Sequence, residues 1–154
     1  MAHTTAPRNA RGPHQWLALV IGVVYLLVGA FGFLVTGFSG FTEHDHGQTL
    51  LGFAINPLHN IVHLVIGLLG IGLWATSGGA RTFGWLLLIG YGAAFVYGLF
   101  AVNDPDINVL NINEADNWLH LGSALAGLLI AVWPARKPAL EQPSTTEPLP
   151  RDLR

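Results

Sequence analysis

From Gln15 to Thr36 the chain is almost unbroken apolar sequence, WLALVIGVVYLLVGAFGFLV at its centre. At about 1.5 Å per residue such a run covers the roughly 30 Å hydrocarbon core of a bilayer as a helix. Three more runs follow, Pro57 to Thr76, Thr82 to Val102 and Ala115 to Trp133, all free of Lys and Arg. The pattern therefore predicts four spans, at about 15–36, 57–76, 82–102 and 115–133, within a membrane domain 15–134. Residues 1–14 are polar and lack helical periodicity, which predicts a disordered arm. The tail 135–154, rich in Pro, Ser, Thr and charge, reads the same way. A positively charged start before an apolar run also fits a cleaved signal peptide. The first run, however, exceeds the usual apolar length of about 7–15 residues and ends without a small-residue cleavage pattern.

Glycine is frequent inside these runs, at Gly22, Gly29, Gly32, Gly67, Gly70, Gly90, Gly92, Gly98 and Gly127 among others. In water this would weaken helices, whereas in lipid it lets helices approach closely. The fold class implied is an all-α integral membrane four-helix bundle.

Spans two and four open alike. Asn56-Pro57-Leu58-His59-Asn60-Ile61-Val62-His63-Leu64 and Asn113-Glu114-Ala115-Asp116-Asn117-Trp118-Leu119-His120-Leu121 share N-x-x-x-N-x-x-H-L. Spans one and three echo each other weakly through Leu19-Val20-Ile21-Gly22 and Leu87-Leu88-Ile89-Gly90, so the bundle reads as two tandem helical hairpins. At about 100° per residue, His59, Asn60, His63, Gly67, Gly70 and Trp74 share one arc of span two. Asp116, Asn117, His120, Ala124, Gly127 and Ala131 share the matching arc of span four. Both arcs are expected to face the interior, with Gly67, Gly70, Ala124 and Gly127 forming a packed seam between spans two and four.

Asn56 and Asn113 stand where helix N-caps belong, with Pro57 at the first helical position and Asp116 completing a capping-box-like pattern. Asn60, Asn117, His63 and His120 are expected to hydrogen-bond across helices, and this structural reading is preferred. The spacing also supports chemistry. His59 and His63 are four apart, as are Asp116 and His120, and together they would suit a divalent transition metal. His44, Asp45 and His46 form a further run that reads as a solvated loop. A haem between His63 and His120 is opposed by the expected tight seam. The only other titratable groups in the spans are Tyr25, Tyr91 and Tyr97, so a proton-coupled transporter has little support.

Composition agrees with lipid as the solvent: 51% hydrophobic residues, 10% charged and a mean hydropathy of +0.48 in 154 residues. The formal net charge of -2, with no basic face, excludes nucleic acid as a partner. Without cysteine there is neither a disulfide nor a thiolate ligand. All 7 Lys and Arg lie in the N-terminal arm, the loop around Arg81 or the C-terminal tail, which four spans put on one side. Glu43, Asp45, Asp104, Asp106, Glu114 and Asp116 lie toward the other. The asymmetry predicts a cell-membrane protein with both termini cytoplasmic.

The stretches NPLHNIVHLVIGLLG and ADNWLHLG resemble an actinobacterial membrane-protein family catalogued as domain of unknown function forty-three eighty-three. The resemblance covers about Trp16 to Trp133 and rests on Asn56, Pro57, His59, Asn60, His63, Ala115, Asp116, Asn117, His120 and Gly122. It implies a small four-helix membrane protein and carries no activity with it. The sequence alone thus favours a non-enzymatic multi-pass protein with no cofactor. Its partners would be the lipid bilayer, a second copy or another membrane protein. A metal-binding or redox-associated protein is the alternative, and a transporter or channel subunit is less favoured.

Overall fold

The computed structural model describes residues 10–134, and the tail expected to be unstructured lies outside them, as do residues 1–9 of the arm. Four helices make an all-α bundle: α1 (Pro13–Thr36), α2 (Pro57–Leu73), α3 (Ser77–Ala101) and α4 (Glu114–Val132). A two-stranded hairpin, β1 (Thr49–Leu50) and β2 (Phe53–Ala54), interrupts the α1–α2 connection. Its turn residues Leu51 and Gly52 both have positive φ, which suits a two-residue hairpin turn.

Three helices, α1, α3 and α4, are long and apolar enough to cross a membrane. The fourth, α2, has 17 residues, or about 25 Å of axis, which is the lower end of what a span needs. It ends three residues earlier than its apolar run because the chain turns at Trp74. Helix α3 begins five residues before the predicted Thr82, where Thr76 caps it by accepting from Gly79 N at 3.0 Å. Ser77, Gly78 and Gly79 are poor helix formers and hide that start from a hydropathy reading.

Helix α1 also starts early. Pro13 occupies the first turn and Gln15 Oε1 accepts from Gly12 N at 2.9 Å, so Pro13 and His14 belong to the helix rather than to an arm. The same end is tied to the α2–α3 turn: Gln15 Nε2 donates to the carbonyls of Trp74 and Ala75 at 3.2 and 2.9 Å, and His14 meets Ser77 Oγ at 2.9 Å. Arg81 donates to the Trp133 carbonyl, and the Arg11 guanidinium lies 4.2 Å over the Trp74 ring.

The interior mixes small and polar residues with a buried apolar cluster around Phe83, Leu87 and Ile130, and the outside of the bundle is largely apolar. The buried stripe of α1 is His14, Gln15, Ala18, Gly22, Tyr25, Gly29 and Gly32, while Phe31, Leu34, Ile89, Leu99 and Phe100 are exposed. That inversion is what a lipid solvent permits.

Helices α1 and α2 pack as one hairpin and α3 and α4 as another, and α2 and α4 make no close backbone approach. The predicted seam is therefore corrected. Gly67 packs against Leu26 and Gly70 against Gly22, both on α1, whereas Gly127 packs against Gly84 and Leu87 on α3. The small residues close each hairpin, not the gap between α2 and α4. Gly90 and Gly92 face open space, so the echo of Gly22 in Gly90 is not a structural equivalence. The true match is Gly32 with Gly98, each pressed against the equivalent asparagine, Asn60 or Asn117.

Candidate functional site

The polar arcs of α2 and α4 meet at the end of the bundle that carries the long connections. Both helices start on the predicted caps. Asn56 Oδ1 accepts from His59 N at 2.9 Å, and Asn113 Oδ1 accepts from Asp116 N at 3.0 Å. Asp116 Oδ2 returns a bond to Asn113 N at 2.9 Å, which closes the capping box. The same oxygen accepts from Ala54 N on β2 at 3.1 Å. One carboxylate oxygen is thus held by two backbone amides, and Asp116 Oδ1 is buried without a hydrogen-bond partner.

The caps reach across the hairpins. Asn56 Nδ2 donates to the carbonyls of Glu43 and Val109, and Asn113 Nδ2 to that of Gly52. Asn111, which adopts a left-handed φ of 54°, donates to the carbonyls of Asp45 and Ile55 and accepts from Asp45 N. Asparagine tolerates that backbone better than other residues with a Cβ. Asn108 donates to the Ile112 carbonyl and accepts from Ile112 N, both at 2.8 Å. His46 Nε2 lies 3.2 Å from the Ile112 carbonyl, so the His44–His46 run touches this cap while Asp45 and His46 remain exposed. Sequence reading passed over Asn108 and Asn111; three asparagines in the short stretch NVLNIN were the available signal.

Beneath the cap, His59, Asp116 and His120 bring one ligand atom each to within 4.8 Å of one another, and all three residues are buried. His63 stands outside that set, although its ring centroid is 4.4 Å from that of His59. Below them Tyr25 and Tyr91 stack, and each contacts one histidine: His63 against Tyr25 at 5.1 Å and His120 against Tyr91 at 5.4 Å. The four rings thus form a chain of contacts, His63 to Tyr25 to Tyr91 to His120.

His63 does not make the interhelical bond expected of it. His59 Nδ1, His120 Nδ1 and both ring nitrogens of His63 are buried without a hydrogen-bond partner. Asn60 does bond across helices, donating to Thr36 Oγ1 at 3.0 Å, whereas Asn117 Oδ1 lacks a partner. Buried polar groups are paired in the great majority of cases, so this concentration of unpaired nitrogen and oxygen sets this end of the bundle apart from the rest.

The model of a domain of unknown function, DUF4383, matches residues 15–133, which is nearly the whole described bundle. The chain belongs to the DUF4383 family. No curated protein and no solved structure matches it. The family match encloses both histidine helices and the cap loops, so the DUF4383 unit and the site-bearing bundle are the same piece of chain.

Proposed function

We propose that this DUF4383 protein is a multi-pass membrane protein that holds a divalent transition metal between His59, Asp116 and His120. One observation carries the reading: three buried potential ligand atoms converge from opposite hairpins, and His59 Nδ1, Asp116 Oδ1 and His120 Nδ1 have no hydrogen-bond partner. An isolated buried carboxylate is costly, and a divalent cation neutralises it while using the lone pairs of neutral imidazoles. Two imidazoles and a carboxylate suit zinc, iron, copper or nickel better than calcium or magnesium.

Ligand atoms on such a metal lie about 3.3 Å apart, given bonds of about 2.0–2.2 Å. The rings would therefore draw inward on loading. Three protein ligands leave a coordination position open, as in sites that bind a small ligand.

The membrane part of the proposal rests on the exposed apolar faces and on tryptophan. Trp16, Trp74 and Trp133 gather at the end bearing Arg11 and Arg81, and Trp118 lies at the other. Arginine at the first end with Asp45, Asp104, Asp106 and Glu114 at the second favours a cell-membrane protein with the arginine end cytoplasmic.

Elemental analysis of protein purified in mild detergent, before and after loading with Zn²⁺, tests the metal. About one ion per chain is expected, lost in His59→Gln and His120→Gln and kept in His63→Gln. Absence of stoichiometric metal in the loaded parent would reject the assignment.

A further inference from the structure

Beside the cluster lies a cavity of about 340 Å³ that the metal reading does not use. Its walls are α1, at Val24, Tyr25 and Val28, the β1–β2 hairpin, and α4, at Leu119, Gly122 and Ser123. It opens on the outside of the bundle: Val20, Val24 and Leu51 at its edge are half-exposed or more, and the two flanking helices come from different hairpins. In a bilayer that mouth faces hydrocarbon.

The lining is apolar except for a few groups. Tyr25 Oη and Ser123 Oγ are 2.6 Å apart and satisfy each other. His63 is different: it lines the cavity, is 3% exposed, and neither of its ring nitrogens has a partner. A neutral imidazole offers one N–H donor and one acceptor, so a buried His63 lacking both leaves two interactions unmade. No lining residue carries a formal charge, which disfavours a charged occupant. The volume is at the lower end of ligand sites, about 300–1,000 Å³, and suits a head group with the first part of one hydrocarbon chain.

We infer that the cavity between α1 and α4 binds a single-tailed neutral lipid, entering from the bilayer, whose carbonyl or hydroxyl oxygen hydrogen-bonds to His63. The tail follows the apolar wall outward between Val20, Val24 and Leu51. Leu51 supports this orientation: an exposed leucine held at a positive φ of 56° at the hairpin tip extends the apolar wall past the helices.

Two variants test the site without disturbing the fold. A Cβ at Gly122 meets nothing within 4 Å, so Gly122→Leu has room to extend into the mouth. His63→Leu removes both unpaired nitrogens. With the protein in phosphatidylcholine nanodiscs, binding of three probes is read by thermal shift: 1-dodecanol, a decyl-substituted benzoquinone and dodecane. Saturable stabilisation by at least one of the two headed probes, and none by dodecane, is expected. Binding of the quinone requires His63 as the donor, because a quinone only accepts, whereas binding of dodecanol alone makes His63 the acceptor. His63→Leu should weaken binding about tenfold, the worth of one good hydrogen bond, and Gly122→Leu should abolish it. Metal content unchanged in both variants keeps this result separate from that of the metal site. Equal stabilisation by dodecane, no saturable binding of either headed probe, or unaltered binding in both variants would overturn the inference.

Discussion

Tyr25 and Tyr91 stack with ring centroids 5.1 Å apart and 28° between their planes, and behind each stands the histidine of its own hairpin, His63 or His120. The two hairpins therefore present the same pair of residues to the middle of the bundle. The symmetry is broken one turn higher, where His59 of α2 is matched by Asp116 of α4. A duplicated hairpin bearing His at both positions would offer four imidazoles, whereas this chain brings together two imidazoles and a carboxylate.

The tyrosines should respond unequally to loss of their hydroxyls. Tyr25 Oη is paired with Ser123 Oγ, so Tyr25→Phe should lose about 1 kcal/mol of stability. Tyr91 Oη has no hydrogen-bonding neighbour but the Tyr25 hydroxyl, which already pairs with Ser123, so Tyr91→Phe should cost less than Tyr25→Phe. Denaturation in detergent reads both, and an equal or larger loss in Tyr91→Phe would contradict this ranking.

Asp116 does two jobs that a pair of variants separates. Asp116→Asn keeps an oxygen to accept from Asn113 N and Ala54 N, and should retain most of the stability of the metal-free protein. Asp116→Ala loses the cap and should cost about 1–2 kcal/mol. Metal binding should fall in both. If Asp116→Asn retains parental metal affinity, Asp116 Oδ1 is not a ligand.

Close approach within hairpins makes a further prediction. Gly70→Leu would drive a side chain into Gly22, and Gly127→Leu into Gly84 and Leu87. Each should lose about 1–3 kcal/mol or fail to accumulate. Gly90→Leu, facing open space, should melt like the parent. Parental melting of Gly70→Leu would contradict the α1–α2 contact.

The repeat N-x-x-x-N-x-x-H-L was enough to find the caps and the inward arcs, because a cap and a helical face are local properties of spacing, but it did not separate His63 from His59, Asp116 and His120, which come together without it. Which helix each glycine touches was not legible. Gly67 and Gly127 read alike in sequence, and only the pairing of α1 with α2 and of α3 with α4 turns their small faces into the hairpins. The loops were least legible. Asn111 and Asn108 act through backbone carbonyls brought near by folding, and no periodicity announces such bonds. His63 was read as a bonded core histidine, and its lack of any partner emerges only when the neighbouring rings and the cavity are seen together.

Orientation in the membrane supplies the last prediction, and the structure selects its reporters. Thr42 and Asn103 are exposed in the two connections at the acidic end, and Gly78 is exposed in the first turn of α3 at the arginine end, with nothing near its Cα substituent. Asn108 and Ser77 are poorer choices, since Asn108 is buried and bonds to Ile112 while Ser77 bonds to His14. In a chain without cysteine, a single cysteine at each site reports alone. A membrane-impermeant maleimide added to intact cells should label Thr42→Cys and Asn103→Cys, and should reach Gly78→Cys only after lysis. This follows because arginine is retained on the cytoplasmic side during insertion. If α2, with its 17 residues, failed to span, the two connections would lie on opposite sides and only one of Thr42→Cys and Asn103→Cys would be labelled. Labelling of Gly78→Cys from outside with both others protected would invert the orientation and with it the side of the metal cluster, whereas labelling of only one connection would contradict the bonds that join the two connections.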